Sequence, residues 1–155
     1  MMAHEMVHEP APVMNDSIRV LLAKPTHDAH DRGVRYIAKK FRDDGLEVIF
    51  TTFLLPREVI RIAIDEDVDV IGISCSSHGH MPIFEELFTN LREHGVDDVL
   101  VIGGGVISGQ DQQVLKAWGV SAVFGPGTSA GDAISHIRAN VFRRSTVHQQ
   151  SFQGT

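Results

Sequence analysis

Five short runs rich in valine and isoleucine alternate with five helical patterns, and this alternation constrains the fold more than any other feature of the chain. The runs are Ile18–Ala23, Glu47–Thr51, Val68–Ser74, Asp98–Ile102 and Ser121–Phe124. Their consecutive apolar positions are typical of parallel strands buried on both faces of a sheet. The helical patterns are Val34–Asp44, Pro56–Glu66, Ile83–His94, Gln110–Trp118 and Ser129–Phe142.

The short links between these elements favour right-handed crossovers, which place helices on both faces of a parallel sheet. Five strands indicate an α/β fold of the flavodoxin-like (Rossmann-like) type, with strand order 2-1-3-4-5 and a switch point between strands 1 and 3. We expect one domain over residues 17–143, a flexible N-terminal segment over residues 1–16 and a flexible tail over residues 144–155.

Composition limits the classes of function. A chain of 155 residues with 43% hydrophobic content suits one packed domain. Its net charge of −6 argues against a nucleic-acid surface and favours a small-molecule or protein partner. No apolar run approaches the roughly 20 residues of a membrane span, and we expect no signal peptide. The single cysteine, Cys75, excludes an internal disulfide and favours the cytoplasm.

Polar and glycine-rich clusters follow four of the five predicted strands. They are Lys24 with residues 26–30 after the first strand, residues 74–80 after the third, Gly103–Gly105 after the fourth, and Gly125–Thr128 after the fifth. Because the carboxyl ends of parallel strands share one edge, and ligands bind at that edge, the sequence predicts a ligand site there.

His30 is the strongest candidate for a metal ligand within these clusters. Asp28 lies two residues before it, and a carboxylate that accepts one ring N–H leaves the other nitrogen free to bind a metal. Lys24 would keep Asp28 ionised. The simpler interpretations are a loop histidine bonded to the backbone and a solvated lysine at the end of a strand.

The glycines and serines of the clusters have two interpretations each. Gly103–Gly105 form either a tight turn or a place where a flat ligand approaches the backbone. They lack the spacing and the Lys-Ser/Thr pair of a phosphate-binding loop. The hydroxyls of Ser74 and Ser76 either satisfy loop backbone groups or bind a buried heterocyclic nitrogen. An alternative for the histidines is an ordinary transition-metal site made of His27, His30, His78 and His80.

Four motifs resemble the cobalamin-binding domain of the adenosylcobalamin-dependent acyl-CoA mutases, the methylmalonyl-CoA mutase family. They are Asp28-Ala29-His30-Asp31-Arg32-Gly33 (D-x-H-x-x-G), Gly72-Ile73-Ser74, Gly104-Gly105-Val106-Ile107 and Phe124-Gly125-Pro126-Gly127-Thr128. The resemblance extends over roughly residues 18–141. Ser76 and Ala29 depart from the family, which usually has leucine and glycine at these positions.

The resemblance implies that His30 is the lower axial ligand of cobalt, with Asp28 as its hydrogen-bond partner and Lys24 as the outer member of the relay. The cofactor's own benzimidazole would leave the metal and enter a slot between sheet and helix. The other residues that the resemblance assigns to the cofactor are Asp31, Arg32, Gly33, Ser74, Ser76, Gly104, Gly105, Phe124, Gly125 and Thr128.

The resemblance further implies a separate small subunit that binds adenosylcobalamin for a two-subunit mutase. The reaction would be a carbon-skeleton rearrangement of an acyl-CoA such as methylmalonyl-, isobutyryl- or 2-hydroxyisobutyryl-CoA. A large subunit with a barrel domain would bind the substrate, so this chain would contain no catalytic residue and would be inactive alone. A stand-alone corrinoid carrier or sensor is the main alternative. A receiver domain is disfavoured because Ser74 stands where a receiver needs an aspartate.

Overall fold

A computed structural model describes residues 17–28, 31–75 and 79–142 of the chain. The strands are β1 (Arg19–Pro25), β2 (Glu47–Phe53), β3 (Val70–Cys75), β4 (Leu100–Gly105) and β5 (Ala122–Phe124). The helices are α1 (Arg32–Asp43), α2 (Pro56–Asp65), α3 (His80–Glu93), α4 (Gly109–Trp118) and α5 (Ala130–Asn140). The predicted terminal segments, residues 1–16 and 144–155, lie outside the described residues.

The five strands form one parallel sheet with the order β2-β1-β3-β4-β5. This confirms the predicted flavodoxin-like topology. The two boundaries that differ most from the prediction are the end of β4 and the start of α3. β4 continues through Gly105 because Ser74 and Cys75 of β3 pair with Gly104 and Gly105. α3 begins at His80, three residues before the predicted start at Ile83.

Each face of the sheet has its own apolar core, as the prediction of helices on both faces requires. On one face, α2, α3 and α4 bury residues such as Ile60, Phe84 and Leu115 against the sheet. On the other face, α1 and α5 bury residues such as Phe41 and Ile137. The consecutive apolar residues of each strand therefore alternate between two cores.

Local signals explain where several helices begin and end. Gly45 follows α1 with a φ of 95°, a left-handed conformation that glycine adopts without strain. Pro56 occupies the first turn of α2, where its missing N–H has no intrahelical partner to lose. Ser129 and Asp132 form a complete capping box at the start of α5. Within the described ranges, none of the helices is long and apolar enough to cross a bilayer.

His136 of α5 gives the fold a dependence on pH. Its Nε2 lies 2.7 Å from the hydroxyl oxygen of Ser121, and its ring meets that of Phe124 edge-on at 5.7 Å. Burial lowers the pKa of His136 below its usual 6.5. The unfolded chain therefore binds a proton before the folded chain does, and stability falls as the pH falls through 6.5 and on through the lower folded pKa.

We expect the free energy of unfolding to decrease between about pH 8 and about pH 5, with His136 contributing part of the loss. Urea unfolding across this range, compared between the wild type and His136→Gln, measures that part. A constant difference between the two proteins at every pH would contradict the prediction.

Candidate functional site

A cavity of about 490 Å³ lies at the carboxyl ends of the strands, between the sheet and helices α1 and α5. Its lining is formed by Leu22, Gly33, Val34, Tyr36, Ile37, Phe41, Gly72, Ile73, Ser74, Ile102, Gly103, Gly104, Gly105, Val106, Phe124, Gly125, Pro126, Thr128, Ser129, Ala130 and Ala133. Most of these side chains are apolar or absent, so the cavity suits a flat, largely apolar group with few polar atoms.

The strand register builds the floor of the cavity. Leu22, Gly72 and Ile102 form one row across β1, β3 and β4. Ser74, Gly104 and Phe124 form the next row across β3, β4 and β5. Paired residues of parallel strands project from the same face, so both rows face the cavity.

Gly104 leaves open space over the second row, because it has no side chain. A Cβ atom built on Gly104 would meet only the main-chain oxygen of Phe124 within 4 Å, at an ordinary contact distance of 3.5 Å. A Cβ atom at this position would therefore enter the cavity without displacing protein atoms. This is the arrangement expected where a ligand approaches the backbone, the second of the two interpretations of the glycine run.

The two helices form the walls. Gly33, Val34 and Ile37 of α1 line one side, and the small residues Ala130 and Ala133 of α5 line the other. Arg138 of α5 holds the two helices together at their far ends, because it donates to the main-chain oxygen of Asp44 at 2.7 Å and to its carboxylate at 2.9 Å. The first turns of both helices therefore flank the cavity.

The structure places seven of the predicted cofactor residues in the cavity lining. These are Gly33, Ser74, Gly104, Gly105, Phe124, Gly125 and Thr128. Four others, Lys24, Asp28, Asp31 and Arg32, lie outside the lining, where β1 ends and α1 begins. The remaining two, His30 and Ser76, lie outside the described residues, as does Ala29.

Lys24 and Asp28 form a buried polar group beside the cavity. Their side chains are only 6% and 2% exposed, so the interpretation of Lys24 as a solvated charge is wrong. The Lys24 ammonium donates to the main-chain oxygen of Asp28, which ties the end of β1 to the segment that follows it. Burial and the nearby Asp28 carboxylate raise the pKa of the Cys75 thiol to about 12. Cys75 is therefore a protonated, unreactive thiol at neutral pH.

Asp31 and Arg32 belong to the start of α1. Asp31 accepts a hydrogen bond from Arg35 at 2.9 Å, and this bond lowers the pKa of the Asp31 carboxyl. Arg32 is exposed. Both residues are available at the rim beside the segment that contains His30.

The ordinary transition-metal alternative gains no support from the histidines that the structure describes. His27 is exposed, and His80 pairs with Asp111 at 2.8 Å instead of joining another histidine. Within residues 17–28, 31–75 and 79–142, no group of three or more histidine, cysteine, aspartate or glutamate side chains is placed to hold a metal ion. His30 and His78 lie outside these ranges.

Several lining residues were not predicted from the sequence. They are chiefly Leu22, Tyr36, Ile37, Gly72, Ala130 and Ala133. Two signals were available: a glycine inside an apolar strand, at Gly72, and two alanines three residues apart on α5. Tyr36 gave no signal because its exposure and its place at the rim depend on how α1 packs.

The domain that contains this cavity is similar to a known protein family. The family model for the B12 binding domain matches residues 18–135. The chain belongs to the B12-binding domain family. The match includes every strand and the cavity-lining start of α5, so the whole described site lies within the B12-binding domain.

Curated relatives of this B12-binding domain are mutases. The chain is 41% identical over 128 residues to the 2-hydroxyisobutanoyl-CoA mutase small subunit of Aquincola tertiaricarbonis, covering 82% of this chain and 94% of that protein. It is 45% identical over 120 residues to the methylmalonyl-CoA mutase of Cereibacter sphaeroides, covering 77% of this chain and 17% of that protein. It is 42% identical over 134 residues to the human mitochondrial methylmalonyl-CoA mutase, again covering only 18% of the relative.

Solved structures show the same fold in other settings. A cobalamin-binding protein of Desulfitobacterium hafniense superposes with a TM-score of 0.68 at 20% identity, covering 79% of this chain and 58% of that one. A Francisella response regulator receiver domain superposes with a TM-score of 0.61 at 18% identity, covering 79% and 95%. At these identities the likeness concerns the fold alone.

The residues present fit the nucleotide tail of a B12 cofactor. The cavity volume of about 490 Å³ is within the range of about 300–1,000 Å³ found for small-molecule sites. Gly104 leaves room for a flat ring against the strands, and Ser74 adds a hydroxyl to the same row. Apolar walls with one polar group from the floor suit a buried aromatic heterocycle.

Proposed function

We propose that this chain is the cobalamin-binding small subunit of a two-subunit, adenosylcobalamin-dependent acyl-CoA mutase. The observation that carries the proposal is the glycine-floored cavity between the sheet, α1 and α5 in a B12-binding domain. The subunit assignment is supported by the alignment with a mutase small subunit, which is covered to 94%, whereas the methylmalonyl-CoA mutase of Cereibacter sphaeroides is covered to 17%.

In this proposal His30 would hold the cobalt, Asp28 would orient the His30 imidazole and Lys24 would hold the segment that contains Asp28. The burial of Lys24 and Asp28 supports these roles, since buried charged groups beside a ligand histidine fix its orientation. The cavity residues would hold the cofactor's nucleotide tail, with Ser74 as hydrogen-bond partner of its heterocyclic nitrogen. Asp31 and Arg32 contact the cofactor edge at the rim.

When bound, adenosylcobalamin supplies the radical chemistry of the carbon-skeleton rearrangement, which amino-acid side chains cannot supply. The residues of this chain bind and orient the cofactor and exclude water from its tail. None of them is proposed to act on the substrate, so the chain alone would bind cobalamin without turnover.

The proposed partner is a large catalytic subunit whose barrel domain binds the acyl-CoA. The acyl group is a branched-chain or hydroxylated one of the methylmalonyl, isobutyryl or 2-hydroxyisobutyryl type, and the partner would select among these. We propose the cytoplasm as the compartment, because the one cysteine is a buried free thiol and suits a reducing environment.

Reconstitution tests the proposal. The purified chain, adenosylcobalamin and the large mutase subunit from the same genome are assayed together and with each component omitted. We expect acyl-CoA isomerisation only with all three components, and a complex of both subunits on size-exclusion chromatography. Cobalamin binding without complex formation or turnover would favour a stand-alone carrier or sensor instead.

A further inference from the structure

Two helices of this domain begin with the same capping sequence, yet only one of them completes the cap. α5 begins with Ser129 and Asp132, whose side chains bond each other's backbone N–H groups at 3.1 and 3.3 Å. α4 begins with Ser108 and Asp111 at the same spacing. The Ser108 hydroxyl accepts from the Asp111 N–H at 3.1 Å, but the Asp111 carboxylate does not return to the backbone of Ser108.

The Asp111 carboxylate instead binds His80, the first residue of α3. The distance between His80 Nε2 and Asp111 Oδ2 is 2.8 Å, and the His80 side chain is 13% exposed. Because an ionised carboxylate only accepts hydrogen bonds, Nε2–H is the donor. The other ring nitrogen of His80, Nδ1, is buried and has no hydrogen-bond partner in the described part of the chain.

This contact is unfavourable for either helix considered alone. α4 loses one bond of its capping box, and α3 gains a buried imidazole with an unpaired nitrogen. What the contact achieves is a link between the starts of α3 and α4, both of which lie at the carboxyl edge of the sheet. The link therefore fixes the relative position of the two helix starts at that edge.

Asp111 is bonded to the turn between β4 and α4, because its N–H donates to the Ser108 hydroxyl at 3.1 Å. Gln112, its neighbour, donates its side-chain amide to the main-chain oxygen of Ile107 at 2.9 Å. Ile107 is buried in the core beneath α2, α3 and α4. Just before it, Gly105 and Val106 line the cavity on the other face of the sheet. The turn thus connects the His80 contact to the rim of the cavity.

The close packing of Gly105 against β3 restricts the position of this turn. Its φ is 114°, and a Cβ atom built on it would lie only 1.9 Å from the main-chain oxygen of Cys75. The backbone of Gly105 is therefore pressed against the end of β3. A turn packed this closely tolerates little displacement, so an anchor that fixes α4 against α3 also fixes the rim.

We propose that His80 is a positioning residue for the cavity: through Asp111 it holds the turn 105–108 in place and so keeps the Gly105–Val106 rim shaped for the cofactor's tail. The role in cofactor binding rests on the proposed function. The effect on the turn does not, because it is a property of the protein without cofactor.

Hydrogen exchange of the backbone amides, measured by NMR on the cofactor-free protein, tests the positioning. We expect His80→Ala to accelerate exchange at Gly105 and Val106 about tenfold, and His80→Gln, which keeps a donor, to restore much of the protection. His94→Ala is the matched control, since His94 directly follows the same helix and its ring hydrogen-bonds the main-chain oxygen of Asn90. Unchanged exchange at both amides in His80→Ala would overturn the proposal.

Titration with hydroxocobalamin tests the consequence for binding. We expect His80→Ala to weaken binding about tenfold, with His94→Ala unchanged and His80→Gln intermediate. If wild-type protein binds no hydroxocobalamin, the proposed function fails while the exchange result still stands. If wild type binds and His80→Ala binds equally well, His80 only stabilises the fold. Should His80→Ala fail to fold, Asp111→Asn, which keeps an oxygen acceptor without the charge, is expected to show smaller changes of the same sign.

Discussion

Replacing His30 by alanine abolishes the change in the visible spectrum that marks exchange of the cofactor's benzimidazole for a protein imidazole. The expected effect is complete because one nitrogen atom is responsible for it and the described residues near the cavity include no second histidine on its lining. The measurement is the absorption spectrum of hydroxocobalamin mixed with wild-type or variant protein. Affinity is expected to fall by at least about tenfold.

His27→Ala is the matched control, because His27 is an exposed histidine three residues before His30. It is expected to give the wild-type spectrum. If His30→Ala keeps the spectral change while His27→Ala loses it, the ligand has been assigned to the wrong histidine. If both variants keep it, cobalt is bound by another group or the cofactor retains its own base.

Filling the cavity from its floor blocks the cofactor's tail without unfolding the protein. In Gly104→Val the new side chain projects into the cavity, and its Cβ meets only the oxygen of Phe124, at 3.5 Å. Valine is favoured in strands, and glycine in a strand interior costs about 0.5–1 kcal/mol, so stability is expected to be unchanged or higher. Binding of hydroxocobalamin is expected to weaken by about a hundredfold, equivalent to about 2.7 kcal/mol.

Isothermal titration measures the affinity and urea unfolding measures the stability of the same samples. Gly109→Ala is the control, since a Cβ atom there meets nothing within 4 Å and Gly109 does not line the cavity. Wild-type affinity in Gly104→Val would show that the tail does not occupy this cavity. Loss of both affinity and stability would show that the glycine is needed for the sheet itself.

The fold follows closely from the apolar runs, because consecutive valines and isoleucines are required when both faces of a strand are buried. The extension of β4 through Gly105 was not predictable in the same way. Glycine has a low strand propensity, and this segment stays in the sheet through its pairing with Ser74 and Cys75 of β3 and with Phe124 of β5. The early start of α3 likewise depends on a contact between residues distant in sequence, His80 and Asp111.

The sequence predicted where the candidate site lies better than it predicted which side chains line it. Strand ends of a parallel sheet share one edge, so Ser74, Gly104 and Gly125 were predicted from their positions in the chain, whereas Phe124 came from the family resemblance. Ala130 and Tyr36 were not found, since the helix face that meets the sheet is decided by packing. The burial of Lys24 was also missed. β1 continues through Lys24 to Pro25, and the sequence does not show that neighbouring residues cover the Lys24 side chain.

The sheet separates two apolar cores, and the cavity adjoins the one beneath α1 and α5. None of the cavity-lining residues comes from α2, α3 or α4, which pack an apolar core against the other face of the sheet. The half beneath α1 and α5 contains the cavity. Substitutions at Gly33, Ala130 or Ala133 are expected to change the shape of the cavity while the other core stays unchanged. Under the proposed function, substitutions at these three positions are expected to change which tail bases the cavity accepts, and binding of cobamides with other bases would measure this.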